Sequence, residues 1–358
     1  MNQKEKTTIL HICAFAAKYP GNFIALLKSL ETYHSDIKNI YLFPAKAKNT
    51  ETEIWIAEMN TQEEVAYIQE ESLFKKAVQF RKIIKKHKVD CVFRHFSDIR
   101  IDAVLKLFYN SKKVVRFFRG GYKKSNDLKH KVKKFLWKHN KMVGVSNATA
   151  KEVQRAFPGS RVTSIVNAVF FERLEKKDPM TKPEGISLLM MGRDIEIKGV
   201  DLAIKAVRSL QEKYDLALQI VALDNEENVK KLARQIVGED PAWIRYLPST
   251  NNIGTYYAAN DIFLSPSRRE AFGFANVEAA YCKNSVVLSK VDGQGELQIE
   301  GAYWFEGGNL EAFIKQLELA ILELKTPEKI AQRERVKEQV QKTYSLQEWS
   351  NKVVDLLK

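Results

Sequence analysis

Residues 267–282 read SRREAFGFANVEAAYC and carry two glutamates, Glu270 and Glu278, eight positions apart. Phe272-Gly273-Phe274 lies between them. The apolar run 261–265 and Pro266 come just before, so a strand is expected to end there and leave Glu270 in a loop. Gly273 lets a ligand approach the backbone closely. The amides of Phe272, Gly273 and Phe274 are expected where a helix begins, and free N–H groups at such an end attract anions. Eight helical positions turn through about 800°, so two acids in one regular helix point about 80° apart. They need not share a task. Glu270 suits hydrogen bonds from sugar hydroxyls, and Glu278 suits both hydroxyls of a ribose. The plainer alternative makes them ordinary helix acids, one capping and one solvated. Val277, Ala279 and Ala280 around Glu278 weaken that alternative.

A second constellation lies upstream. Gly192-Arg193 follows an expected strand at 186–191, and Lys198-Gly199 opens an expected helix. Arginine offers a planar fork of donors, lysine a point charge, and the helix start its free amides; together they suit a diphosphate. Taken alone, a surface turn with two solvated cations explains this piece equally well.

The elements that must position these groups form a repeating pattern. Apolar runs of strand length occur at 7–15, 38–43, 89–93, 113–118, 142–146 and 162–166, separated by helical patterns, notably 23–30 and 73–86. A charged stretch with two prolines, 172–185 (ERLEKKDPMTKPEG), reads as a linker. The pattern then restarts, with strands expected at 186–191, 216–223, 243–247, 261–265 and 285–288. Helices are expected at 200–213, 228–237, 310–324 and 327–341. Alternation of this kind predicts parallel sheets covered by helices. The expectation is an α/β chain of two Rossmann-like domains facing across a cleft, with ligand at the carboxyl ends of the strands. The domains are placed at 1–175, with the C-terminal helix 345–358 packing back on it, and at 176–344.

A length of 358 residues with 45% hydrophobic content suits two domains with full cores. Cys13, Cys91 and Cys282 are odd in number and widely spaced, and read as reduced thiols. No window approaches a membrane span and no signal-type run opens the chain, so a cytoplasmic location is expected. The net charge of +14 is uneven. Residues 1–180 hold 35 basic and 18 acidic side chains, whereas 181–358 hold 23 and 26. The excess therefore belongs to the first half, and such a field recruits nucleic acid, an anionic membrane or a phosphorylated substrate.

The second-half residues carry a resemblance. Gly192-Arg193…Lys198-Gly199, Asp261-Ile-Phe-Leu-Ser-Pro-Ser267, Glu270-x7-Glu278 with its inner Phe-Gly-Phe, and Gly293-Gln-Gly-Glu296 together resemble the donor-binding half of family 4 glycosyltransferases, retaining enzymes of the GT-B fold. The likeness covers about 186–307. It continues more weakly at Val145-Ser146, at Asn167-Ala168-Val169-Phe170, and at Tyr19-Pro-Gly-Asn22, where the family has its first glycine loop. The resemblance implies that Arg193 and Lys198 neutralise the departing diphosphate. It implies that Glu270, with the amides around Gly273, grips the donor sugar, and that Glu278 binds ribose. Gly21 and Gly192 would bring backbone near the phosphates, and Glu296 is a further neighbour of the sugar or its loop. Where the family usually has a His-Gly pair, this chain has Arg119-Gly120-Gly121. Arg119 is then a candidate for the sugar or for an anionic group of donor or acceptor. His95, after an earlier strand, has a structural alternative. No Asp-x-Asp pair follows a strand, so no metal and no cofactor are expected beyond the nucleotide diphosphate sugar itself.

The basic half suggests a partner. In 126–138 (NDLKHKVKKFLWK), Leu128, Val132, Phe135 and Leu136 form one apolar face, with Lys129, Lys131, Lys133, Lys134 and Lys138 elsewhere. Trp137 falls about 180° from Leu128, among the lysines, and is expected to point outward. A basic amphipathic helix with an outward tryptophan suits an anionic bilayer surface. The alternative is a surface helix with its apolar face on the sheet. Nucleic acid is not expected, because the donor motifs already explain a phosphate-rich site. The reading is a retaining glycosyltransferase, peripheral at the inner membrane face, acting on a lipid-linked or other saccharide acceptor in surface polysaccharide synthesis. The same fold acting on a soluble or protein acceptor, and a non-catalytic basic membrane- or nucleic-acid-binding module, are the rivals.

Overall fold

The computed structural model describes every residue except 1–5, 14–20, 46–53, 55–56, 58–64, 69–71, 96–98, 111–112, 123–124, 126, 176–177, 179, 223–224 and 358. The chain divides into two compact units. The first is Met1–Ala168 with Leu346–Lys358, and the second is Val169–Ser345.

The first unit holds strands β1 Thr7–Ile12, β2 Ile37–Pro44, β3 Val65–Ile68, β4 Cys91–Arg94, β5 Val114–Phe118, β6 Lys141–Gly144 and β7 Val162–Ser164. They form one parallel sheet in the order β3-β2-β1-β4-β5-β6-β7. Its described helices are α1 Gly21–Tyr33, α2 Leu73–Lys86, α3 Ile99–Phe108, α4 Leu128–Trp137 and α5 Asn147–Ala156. In α2, Ser72 accepts from the amide of Lys75 and so satisfies one of the amides that a helix start leaves open. β1 and β2 are largely apolar and mostly buried, as parallel strands between helix layers are, with His11 and Asn39 the polar side chains wholly enclosed in them.

The second unit holds β8 Ile186–Met191, β9 Leu216–Val221, β10 Ile244–Leu247, β11 Ile262–Ser265, β12 Ser285–Lys290 and β13 Tyr303–Glu306. Their order is β10-β9-β8-β11-β12-β13, again parallel throughout. Its helices are α6 Val200–Leu210, α7 Glu226–Val237, α8 Gly254–Ala258, α9 Phe274–Tyr281, α10 Leu310–Glu323 and α11 Pro327–Thr343. The last helix, α12 Leu346–Asp355, returns to the first unit. There it packs on α1, the Trp349 ring lies 6.3 Å from that of Phe117, and Ser350 Oγ meets His34 Nε2 at 3.2 Å.

Strand order reverses between β1 and β4 in one sheet and between β8 and β11 in the other. Such a reversal opens a crevice beyond the strand ends, where ligands of these folds bind. The stretch read as a linker is fastened at its start. Phe171–Leu174 forms a 3-10 turn, the Phe171 ring lies 4.5 Å from Tyr281, and Tyr281 donates to Glu175 at 3.1 Å.

Candidate functional site

In the second unit the reversal at β8 and β11 brings the two sequence constellations together. The turn after β8 carries Lys198, and the loop after β11 carries Glu270. The Lys198 ammonium donates to Glu270 Oε2. Both side chains are partly open, and both line a cavity of about 210 Å³ with Met191, Ser265, Ser267, Gly273 and Asn276.

Two glycines make this approach possible. Gly199 has φ +68°, and a Cβ there would lie 2.1 Å from the carbonyl oxygen of Pro266. The two loops are in backbone contact at that point, and only glycine fits. Gly273 has φ +90° and caps α9, and a Cβ there would meet Asn276 Nδ2 at 2.4 Å. The Glu270 carbonyl accepts from Gly293 at 2.9 Å and Gln294 at 3.3 Å, which fixes the acid's backbone.

Gln294, which the sequence motif contains but to which sequence reasoning gave no role, is the hub beneath the cavity. It is fully buried. Its Oε1 accepts from Ser265 Oγ and Asn276 Nδ2, each at 2.9 Å. Its amide nitrogen donates to the carbonyls of Ser265 and Ser289. Every one of these groups would be costly to leave unpaired. The network therefore locks the end of β11, β12 and the start of α9 in one arrangement.

Phe274 also lines that cavity, whereas Gly192, Arg193, Phe272, Glu278 and Glu296 fall outside its lining. Glu278 is 3% exposed, and both its oxygens are engaged. Arg173 donates to Oε1 and the Tyr257 hydroxyl to Oε2, the latter at 2.9 Å. Burial and the Glu278 charge push the Tyr257 phenol well up, which keeps it a donor. The solvated-acid alternative for Glu278 is thereby overturned. Arg193 is exposed at the end of β8, and its carbonyl accepts from Asn225 at 2.6 Å. Glu296 is exposed at the end of the 3-10 turn Gln294–Glu296. Gly192 is buried, and a Cβ there would press on Ile220 at 2.8 Å. The Phe272 ring is buried between those of Phe274, at 5.0 Å, and Tyr344, at 5.6 Å. Among the described residues no group of three or more His, Cys, Asp or Glu is arranged to hold a metal ion.

In the first unit the reversal at β1 and β4 gathers His11, His95 and Arg119. His11 lies on β1 and His95 just after β4, both buried. Their rings stack at 5.3 Å, and Arg119, just after β5, meets His95 Nδ1 at 3.2 Å. His95 is therefore one member of a cluster that also includes His11, which sequence reasoning passed over inside an apolar run. Gly21 opens α1 with φ +54° and open space where a Cβ would stand. Its neighbours Tyr19 and Pro20 lie outside the described residues. Cys13 and Cys91 are buried free thiols, both pushed up to about 12 by burial, and Cys282 is also free.

The helix at 128–137 corrects the expectation for Trp137. Trp137 is 1% exposed, not outward, whereas Leu128, Val132 and Phe135 are 76, 37 and 66% exposed. The physical reason is the buried carboxylate of Asp102. It accepts from Arg94 Nε at 3.0 Å, Arg116 Nη2 at 2.7 Å and Trp137 Nε1 at 2.9 Å. The Arg116 guanidinium also stacks 4.0 Å over the indole. Trp137 supplies both a large apolar body and the N–H that this site needs. Phe135, as large as a core residue, supplies no donor. Lys129, Lys131 and Lys134 are exposed, and Lys133 lies 5.4 Å over both Tyr122 and Trp137. No described helix is long and apolar enough to cross a membrane.

Comparison with known proteins agrees with this architecture. Residues 172–337 match the family described as Glycosyl transferases group 1. An uncharacterized glycosyltransferase of Haemophilus influenzae is 30% identical over 187 residues, 51% of this chain and 52% of that protein, so the chain spans about half the length of this relative. A glycosyltransferase from Rickettsia africae superposes with a TM-score of 0.81 at 19% identity, covering 99% of this chain and 98% of that one. Anabaena Alr3699/HepE, solved in complex with UDP and glucose, superposes with a TM-score of 0.74 at 17% identity over 98% of this chain and 99% of its own. Residues 172–337 are a glycosyl transferases group 1 domain, carried in an α/β chain of two Rossmann-like units with the GT-B fold.

Proposed function

We propose that the chain is a retaining glycosyltransferase that takes a sugar from a nucleotide diphosphate sugar. The observation that carries this reading is the cavity where Lys198 meets Glu270 beside the glycine-capped start of α9. The ammonium offsets charge that develops on a departing diphosphate, and the carboxylate accepts hydrogen bonds from the sugar. Arg193, exposed at the end of β8, adds a second cation once a ligand is present. Glu278, oriented by Arg173 and Tyr257, takes the ribose through its remaining lone pairs, since a carboxylate has about four acceptor sites. The retaining course follows from the resemblance to family 4 enzymes.

The acceptor side of the proposal is a lipid-linked saccharide at an anionic membrane, in surface polysaccharide synthesis. The corrected helix supports it better than the expected one did. Leu128, Val132 and Phe135 face solvent with Lys129, Lys131 and Lys134 around them. Lys106 of the neighbouring helix lies 5.5 Å over the Phe135 ring, and Leu107 and Phe108 beside it are 75 and 51% exposed. Exposed apolar side chains rimmed by cations suit insertion at a headgroup layer.

Thermal-shift titration with a panel of nucleotide sugars tests the donor half, because ligand binding to the folded state raises its melting temperature. Stabilisation by at least one nucleotide sugar, lost in Lys198→Ala, is expected. No stabilisation by any member overturns the reading.

A further inference from the structure

At the carboxyl edge of the first unit's sheet lies a half-buried cation with no counter-ion among the described residues. Arg119 sits just beyond β5, half-buried, with its Nε enclosed and unpartnered. No carboxylate among the described residues pairs with it. Its guanidinium lies 4.6 Å over the ring of Phe23, in the first turn of α1, and 5.7 Å from that of Phe117. An ion taken from water without a partner is costly, so such a group is retained where something pairs with it.

What holds Arg119 is a directional chain of neutral groups. Asn39 Nδ2 donates to the carbonyl of Leu27 at 2.9 Å, which leaves Oδ1 to face His11 Nε2 at 2.9 Å. An amide oxygen only accepts, so His11 carries its proton on Nε2. His11 Nδ1 is then an acceptor, and His95 Nε2, 3.0 Å away, must donate to it. That leaves His95 Nδ1 bare, ready to accept from Arg119 Nη2 at 3.2 Å. Both rings stay neutral: burial, with Arg119 nearby, holds His11 down at about 4 and His95 well below its usual range. Neither histidine, neutral or protonated, supplies a negative charge to pair with Arg119. Nor does Cys13, whose thiol burial keeps protonated.

The start of α1 adds to the same place. Gly21, Asn22 and Phe23 form its first turn without an acid, and the edge of Phe23 meets the His95 ring at 5.2 Å. The 13-residue helix directs its partial positive end there. The cluster lies at the reversal of strand order, the place in the sheet where a ligand fits.

We propose that Arg119, aligned by the Asn39–His11–His95 chain and backed by the first turn of α1, is a binding site for a phosphoryl oxygen. The assignment rests on the glycosyl-transfer reading only for the source of that phosphate, either the donor diphosphate or a phosphate on the acceptor.

Inorganic phosphate, followed through the ¹⁵N signals of the two imidazoles, tests it without any sugar donor. Phosphate is expected to shift the His95 signals in the wild type and in Lys198→Ala, where the second-unit cation is gone. In Arg119→Gln the phosphate affinity read there should fall at least tenfold, and Arg119→Lys should restore part of it. Arg119→Gln should also melt no lower than the wild type without ligand, since it removes an unpaired charge; a purely structural arginine would lower the melting temperature. Repeating the titration with saturating UDP separates the sources. Loss of the response assigns the site to the donor diphosphate, and an undiminished response assigns it to the acceptor. Wild-type imidazoles that ignore phosphate, or an equal response in Arg119→Gln, overturn the proposal.

Discussion

Lys198 and Glu270 are joined by an ion pair that bridges the turn after β8 and the loop after β11. Each neutralises the other, so on the proposed reading a donor enters by sharing this pair. Lys198→Ala is expected to cut turnover by two orders of magnitude or more, since a donor aimed at developing charge is worth about 3 kcal/mol. Steady-state assay with the best nucleotide sugar decides it; turnover within threefold of the wild type removes Lys198 from the chemistry.

The two glutamates should fail in different ways. Glu270→Gln should leave affinity for the bare nucleotide within twofold and lower turnover with the sugar donor. Arg173→Ala strands the buried Glu278 carboxylate and should cost roughly 3–5 kcal/mol of stability, read by urea unfolding. Glu278→Gln should weaken the bare nucleotide measurably by calorimetry. Equal effects of both glutamine variants on nucleotide binding contradict this division.

Gly199→Ala should damage the site without touching a charge. The new methyl meets the Pro266 carbonyl, and the positive φ adds strain. A loss of more than about 2 kcal/mol in unfolding free energy, together with weaker donor binding, is expected. An unaltered melting curve would mean that the loops part freely.

Stability should fall in mild acid. His11 ionises near its usual value, about 6.5, when unfolded, but only at about 4 in the fold. Between those values the unfolded chain binds the extra proton, so stability is complete above about pH 6.5 and declines as pH drops toward 4. The shift corresponds to roughly 3 kcal/mol. Urea midpoints from pH 8 to pH 4.5 measure it, and a flat profile would show that the ring is accessible to solvent.

The proposed membrane docking has two separable parts. Lys129, Lys131, Lys133 and Lys134 changed together to Glu should abolish sedimentation with anionic liposomes, since each lysine contributes about 1 kcal/mol near such a surface. Leu128, Val132 and Phe135 changed to Ser should weaken binding even at low salt, where the charge attraction persists. Undiminished sedimentation of both variants removes this helix from the interface.

Much of the second unit was legible from spacing alone, because its motif residues follow strands that are apolar apart from Ser187 and Ser265. Helix 73–86 was equally plain, with a strong apolar stripe and Ser72 before it. The edge strands Val65–Ile68 and Tyr303–Glu306 escaped notice, since four residues at a sheet margin carry little pattern. Helix Asn147–Ala156 escaped because its face is built from Thr149, Val153 and Ala156 rather than large apolar side chains. Trp137 was placed on the wrong side because periodicity weighs apolar area and knows nothing of Asp102, 35 residues away. Gln294 and Asn276 have value only as members of one network, and a network exists only after the strands have met.

The helix Leu346–Asp355 closes the first unit but is made after every other described helix of the two units. During synthesis, all of Val169–Ser345 must pass through the ribosome after Ala168 and before Leu346. At roughly 5–20 residues per second this interval lasts about ten to thirty-five seconds. By its end the second unit has all its described strands and helices, while the side of α1 on which Leu346–Asp355 packs still lacks that helix. The second unit is thus free to finish first, and the amino-terminal unit, begun earlier, completes its fold only after Leu346–Asp355 has been made.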